Sequence, residues 1–244
     1  MPKLTILYRL GLLCLTGLAQ SASAQVPDDS SFVIQARDKA ERRYWSEFGV
    51  YLPIYQGTNW TSPGPTVQGS TFYPGEKPVR GSLNYLGQQY ENTRLLYDAL
   101  KDRLLVQTND ESRLFMLPSQ KIYGFTLEDL TFIRPSAASV KPGLSDTGFY
   151  QVLYAGKSEV LVKRSKVIAY QPTEDPPNVL VTQSQYFVFN GDRFVLVNSM
   201  ADLASLKGKK SKGLQKRLRA EKLRFKDNPE KTLIRAAEWY DQSL

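Results

Sequence analysis

The stretch YFVFNGDRFVLV, residues 186–197, sets the terms for the fold. Two runs of aromatic and β-branched residues flank Asn190-Gly191, the pair that best tolerates the positive φ angles of a type I′ hairpin turn. The same texture begins near residue 81 and recurs. Residues 93–97 and 103–107 flank the turn DALKD, 113–117 follow TNDES, and 122–127 precede 131–134. A further hairpin centres on Ala155-Gly156-Lys157 within FYQVLYAGKSEVLVKR. Many short strands joined by turns bury their alternate apolar side chains best as an antiparallel sheet, folded as a sandwich, a roll or a partly open barrel.

Helical patterns bracket the strands. In SSFVIQARDKAERRYWSE, residues 30–47, Phe32, Ala36, Ala40 and Tyr44 recur at every fourth position, with Asp29 or Ser30 placed to cap the helix. The next segment, 56–80, has 14 of its 25 residues as Gly, Pro, Ser or Thr, a composition suited to loop or an extended edge. A second loop, PSAASVKPGLSDTG, covers 135–148. Beyond Val197 the period becomes helical again. Ser199 is placed to cap MADLASLKG, and Asn228-Pro229-Glu230 is a helix start with Pro at the first position. Leu233, Ala236, Ala237, Tyr240 and Leu244 then form one apolar stripe. The expected class is α+β, mainly antiparallel β, with residues 25–198 as one domain carrying the N-terminal helix. Residues 199–244 are expected to form a basic helical appendage packed on the sheet.

The chain opens MPKLTILYRLGLLCLTGLAQSASA, with Lys3 and Arg9 before an apolar run and Ala22-Ser23-Ala24 after it. That is the layout of a signal peptide cleaved after Ala24. The apolar run of about ten residues falls short of the roughly 20 that span a bilayer. Export to the periplasm or cell surface is therefore expected, with no transmembrane segment in the mature chain. Leu13 before Cys14, where a small residue is wanted, argues against lipidation. The one cysteine leaves with the signal, and the chain has no histidine. Ser-His-Asp and Cys-His nucleophile systems are thereby excluded, and zinc sites, which lean on the same residues, are not expected. No metal and no cofactor are expected. Carboxylate chemistry, a Ser-Lys pair or binding without catalysis remain.

The segments GSLNYLGQQYENTRLLYDALKDRLLV, TGFYQVLYAGKSEVLVKR, YFVFNGDRFVLVNSMADL and LRAEKLRFKDNPEKTLIRAAEWYD, in this order, carry a family likeness. Together they resemble a group of exported proteins common in Bacteroidota genomes. The resemblance implies an envelope location and a shared fold, and it carries over no activity and no catalytic residue.

Four features bear on function. GKKSKGLQ, residues 208–215, has Walker-spaced glycines, but Leu214-Gln215 stand where Lys and Ser/Thr are needed. No Ser-x-x-Lys occurs, and the acidic residues fall mostly in turns, where they cap bends. A glycan hydrolase needs only two facing carboxylates, and Glu128-Asp129 is the pair to test for that alternative. Aromatics crowd the region around the first loop, and Trp60, Tyr55 and Tyr73 are candidates for stacking on an envelope glycan. Finally, KGKKSKGLQKRLRAEKLRF, residues 207–225, carries nine Lys or Arg against one Glu. Residues 205–244 hold 12 basic and 5 acidic residues, so this appendage contains the whole positive excess of the mature chain. Lys209, Lys210 and Lys212 are the candidate contacts to anionic lipid headgroups or acidic glycan. Nucleic acid is not expected, because export removes it and only Phe225 is available to stack on bases. The competing reading of the stretch is a solvated helix, with Leu214 and Leu218 as its thin buried stripe. The leading functional expectation is non-catalytic binding or scaffolding of envelope components.

Overall fold

The computed structural model describes residues 29–48, 52–60, 67–136, 140–145, 147–206 and 213–242. Helix α1 runs Asp29–Phe48, close to the bounds that its period predicts. The division into compact units falls between Glu47 and Phe48, and the strands and the C-terminal helices share the second unit. Along α1, Phe32, Val33 and Ile34 are exposed.

The second unit is one antiparallel sheet with twelve strands among the described residues, flanked by short helices. The strands are β1 Thr58–Asn59, β2 Phe72–Tyr73, β3 Val79–Tyr85, β4 Gln88–Asp98, β5 Arg103–Gln107 and β6 Leu114–Met116. They continue with β7 Ile122–Leu127, β8 Leu130–Ile133, β9 Tyr150–Tyr154, β10 Val160–Tyr170, β11 Asn178–Phe189 and β12 Phe194–Leu196. Their order is β1-β6-β5-β4-β3-β7-β8-β9-β10-β11-β12, with β2 placed on β4. Two meanders therefore meet where β3 pairs β7, and one open sheet replaces the two facing sheets of a sandwich. The sheet also curls. The Lys166 amide of β10 donates to the Ala99 carbonyl beyond β4 at 3.0 Å. The Tyr97 hydroxyl donates to Asp102 Oδ1 at 2.7 Å and lies 3.4 Å from the Arg164 carbonyl oxygen.

Inside the curl sits a four-ring core. Phe125 and Phe132 stack at 4.7 Å, Tyr97 leans on Phe132 at 5.4 Å, and Phe149 meets Phe125 edge-on at 5.1 Å. Burial, and then the negative charge of Asp102, drive the Tyr97 phenol far above its ordinary range, so it stays protonated and donates.

Strands β10 and β11 are covered on both faces only near Val160 and Val188, where successive side chains point opposite ways, and their far ends at Ile168, Tyr170 and Val181 are exposed. Val160 and Val188 face helices α2 Met200–Ser205, α3 Leu214–Ala220 and α4 Pro229–Gln242, while Leu161 joins Tyr150 and Phe194 on the other side. Helices α2 and α4 begin where the caps predict. Ser199 Oγ accepts from the Asp202 amide at 3.2 Å, and Asp202 Oδ2 returns the favour to the Asn198 amide at 2.9 Å. Asn228 Oδ1 accepts from the Lys231 amide at 3.0 Å, ahead of Pro229. The expected stripe of α4 is buried at Leu233, Ala236, Ala237 and Tyr240, with Thr232 beside them. Leu244 lies outside the described residues.

One turn differs from its expectation. The β11–β12 connection is a four-residue loop, 190–193, and not a two-residue type I′ turn. Asn190 Oδ1 accepts from the Asp192 and Arg193 amides at 3.0 and 2.9 Å, so of the pair only Gly191 takes a positive φ, +107°. The asparagine side chain supplies hydrogen bonds that a tighter backbone turn would have made itself.

Candidate functional site

The three aromatic candidates keep different company. Tyr55 closes a short 3-10 turn and is 8% exposed, its ring 6.2 Å from Phe115, which takes it out of any surface platform. Trp60 is half-buried, with its amide on the Leu114 carbonyl at 2.8 Å and its ring 5.5 Å from Phe72. Tyr73, also half-buried, lies over Arg164 with 5.2 Å from guanidinium carbon to ring centre. Lys209, Lys210 and Lys212 lie outside the described residues. Further along the same basic stretch, Lys216, Arg217 and Arg219 are exposed, and Leu214 and Leu218 are buried under α3.

Arg164 is the centre of a buried polar cluster that no local pattern in the sequence reveals. It is 6% exposed. Its Nε donates to Gln151 Oε1 at 2.8 Å, and its Nη1 donates to Ser184 Oγ at 2.9 Å and Glu230 Oε1 at 2.8 Å. Burial, the largest influence, lowers the affinity of Arg164 for its proton, but the hydrogen bond it donates to Glu230 and the negative charge of Glu230, with Tyr73 and Tyr186, together outweigh that and raise it. Glu230 stands in the first turn of α4, so this pair ties the helix to the sheet. Its cation is already matched by a carboxylate within the fold.

A second polar cluster opens onto a hollow of about 210 Å3 at the end of β8. Ile133, Pro135, Leu144, Leu161 and Phe194 give it an apolar floor and walls. Three charged side chains complete it: Arg134, Lys141 and Glu159. Backbone bonds fix their places. The Arg134 amide donates to the Tyr123 carbonyl at 3.0 Å, and the Phe189 amide donates to the Glu159 carbonyl at 2.9 Å. The Phe194 amide reaches across to the Pro142 carbonyl at 2.7 Å, which pins the turn bearing Lys141 to β12. Lys141 pairs with Glu159 and lies 4.6 Å above the Phe189 ring. Arg134 has no such match. Its Nε is buried, and among the described residues no acceptor meets it.

An unmatched guanidinium beside an apolar hollow is a recognisable binding geometry. Ligand sites are mostly apolar with a few placed polar groups, and guanidinium presents a planar fork that fits carboxylate oxygens two at a time. Sequence reading passed over this cleft because its parts are remote in the chain. Arg134 precedes a loop of ordinary appearance and Lys141 lies within it, while Glu159 comes from the β9–β10 connection and Phe194 from β12. The one local signal is a cation before a Pro- and Ser-rich loop and a second in its middle.

The carboxylates lie mostly in turns and at helix ends. Glu128 and Asp129 form the exposed two-residue turn between β7 and β8, Glu128 at φ +52° with its amide on the Arg80 carbonyl at 3.0 Å. Hydrogen bonds from Thr108 and Ser112 pull Asp110 down to about 2. Asp202 and Glu221 are also held below the usual carboxylate range, by the Asn198 amide and by Arg235. For Asp241 burial pushes upward, and donors from Ser158 and Tyr154 overcome it. The 210 Å3 hollow holds one carboxylate, Glu159, and a small crevice between α3 and α4 also holds one, Glu221. Among the described residues no three His, Cys, Asp or Glu side chains gather as a metal site, and no helix is long and apolar enough to cross a membrane. No protein-family model, curated protein or solved structure matches this chain.

Proposed function

We propose that this chain is an exported protein that binds an acidic component of the cell envelope without catalysis. The observation that carries the reading is the Arg134 guanidinium, whose buried Nε meets no acceptor among the described residues, beside an apolar hollow. The signal-like leader and the resemblance to exported Bacteroidota proteins supply the compartment. The positive excess of residues 205–244 supplies a second, diffuse attraction to the same kind of partner. The downward shifts of Asp110, Asp202, Glu221 and Asp241 suit side chains that serve turns and helix ends, where a general acid would need its affinity for the proton raised.

Retention of the purified protein on immobilised polygalacturonate and on neutral dextran tests the reading. Vesicles of phosphatidylglycerol and of phosphatidylcholine form a parallel pair. Retention on polygalacturonate at low salt is expected, with little on dextran. Raising the salt should weaken it, since screening shortens to about 10 Å at 0.1 M. Capture by phosphatidylglycerol alone would move the partner from glycan to lipid headgroup. Failure to bind either acidic surface at low salt would overturn the proposal.

A further inference from the structure

Resting on that reading, we infer that the cleft at Arg134 takes a single carboxylate borne on one sugar ring, an acidic monosaccharide unit of the uronic acid type. Three observations converge on this class. The first is charge. Arg134 and Lys141 bring two positive charges, Glu159 returns one, and the Lys141–Glu159 pair is already formed. Among the described residues one positive charge is left over, on Arg134, so a monoanion balances the site and a phosphate dianion leaves a charge unmet. The second is shape. Pockets for drug-sized ligands run about 300–1,000 Å3, and a hollow of about 210 Å3 accommodates a single ring and no oligosaccharide. The third is polarity. Ile133, Leu161 and Phe194 lie under the charged rim, and a pyranose ring presents an apolar face with its carboxylate at the edge.

The charges also assign roles to the residues. Arg134 meets the carboxylate through its planar fork. Glu159 holds Lys141 over Phe189 and sets the charge the site accepts, a specificity role exerted through its neighbour.

Isothermal titration calorimetry of the purified full-length protein with glucuronate, glucose, glucose 6-phosphate and acetate tests this. Glucuronate should bind at least about tenfold more tightly than glucose, which lacks the charge-assisted pair, and more tightly than acetate, which lacks the ring, or glucose 6-phosphate, whose second charge the site leaves unmet. Arg134→Gln should lose that preference with an unchanged melting temperature. Glu159→Gln releases Lys141 and should shift the preference toward glucose 6-phosphate, a change that a merely structural glutamate would not produce. Glucose 6-phosphate bound as tightly as glucuronate by the unmutated protein would overturn the monocarboxylate class and leave anion binding standing. Retention on polygalacturonate without any affinity for glucuronate would overturn this cleft as the site. Absence of both, with no capture by phosphatidylglycerol vesicles either, would bring down the proposed function itself.

Discussion

At Gly143 and Gly191 the backbone takes the positive φ region that side chains disfavour, but the two glycines answer to different constraints. Gly191, at φ +107°, has nothing within 4 Å of the position a Cβ would occupy. Gly191→Ala therefore carries the backbone term alone, about 1 kcal/mol. Gly143, at φ +92°, would place its Cβ 1.9 Å from the Phe194 carbonyl oxygen. Neither atom can step aside cheaply, because the Phe194 amide is bonded to Pro142 at 2.7 Å. The expected cost of Gly143→Ala is at least about 3 kcal/mol, backbone strain and steric displacement together. Urea denaturation with unchanged m-values measures both. Equal losses would mean that the 141–144 turn is not pinned to β12. The position of Gly191 between two apolar runs is readable in the sequence. The constraint on Gly143 comes from a partner 51 residues further along, and no local pattern announces it.

At the scale of elements, α4 is fastened to the sheet at both ends. Near its C-terminus Asp241 accepts from the Tyr154 hydroxyl at 3.1 Å and the Ser158 amide at 2.9 Å. At its first turn Glu230 meets Arg164 at 2.8 Å, with Arg164 almost wholly buried. Breaking one side of a buried pair strands the other charge, whereas an apolar replacement of both does not. Glu230 is partly exposed, at 36%, which moderates the loss. Glu230→Gln is expected to cost about 2 kcal/mol, Arg164→Met more, and the Arg164→Met/Glu230→Leu double variant less than the sum. Strictly additive losses in that double-mutant cycle would refute the tie. The ends of α2 and α4 were legible because Ser199 and Asn228 act on amides three residues away. Strands β5 and β7 lie where 103–107 and 122–127 were expected, since turns bound them on both sides. The length of the β10–β11 ladder was not legible. Its register from Val160↔Val188 to Tyr170↔Asn178 depends on pairing, and residues such as Thr182 and Gln183 carry no apolar alternation. The cleft was hidden for the same reason, being assembled from two connections and from strands β8, β10 and β12.

For the whole molecule, the missing histidine governs how stability responds to pH. Carboxylates titrate near 4 and tyrosines near 10 in the unfolded chain, and with no histidine no side chain ordinarily titrates between pH 6 and 8. On the acid side, Asp110, Asp202, Glu221 and Asp241 all bind protons less readily folded than unfolded. Each contributes stability that is complete above the unfolded value near 4 and is lost as pH falls through the lower folded value. On the alkaline side the sign reverses for the phenols. Burial, the dominant influence on each, raises Tyr55, Tyr73, Tyr97, Tyr150 and Tyr186, and pushes Tyr240 up to about 12. The unfolded chain then releases these protons first, so stability is complete below pH 10 and declines as pH rises beyond it. Lys166, lowered by burial, opposes them alone. The expected profile of melting temperature is a plateau from about pH 5 to 9, falling at both edges. A chain held by buried histidines or by a carboxylate of raised affinity would slope across neutrality. Thermal melts followed by circular dichroism between pH 3 and 11 distinguish these cases. A shift of several degrees between pH 6 and 8 would reveal a titrating group that the charges and hydrogen bonds described above do not supply.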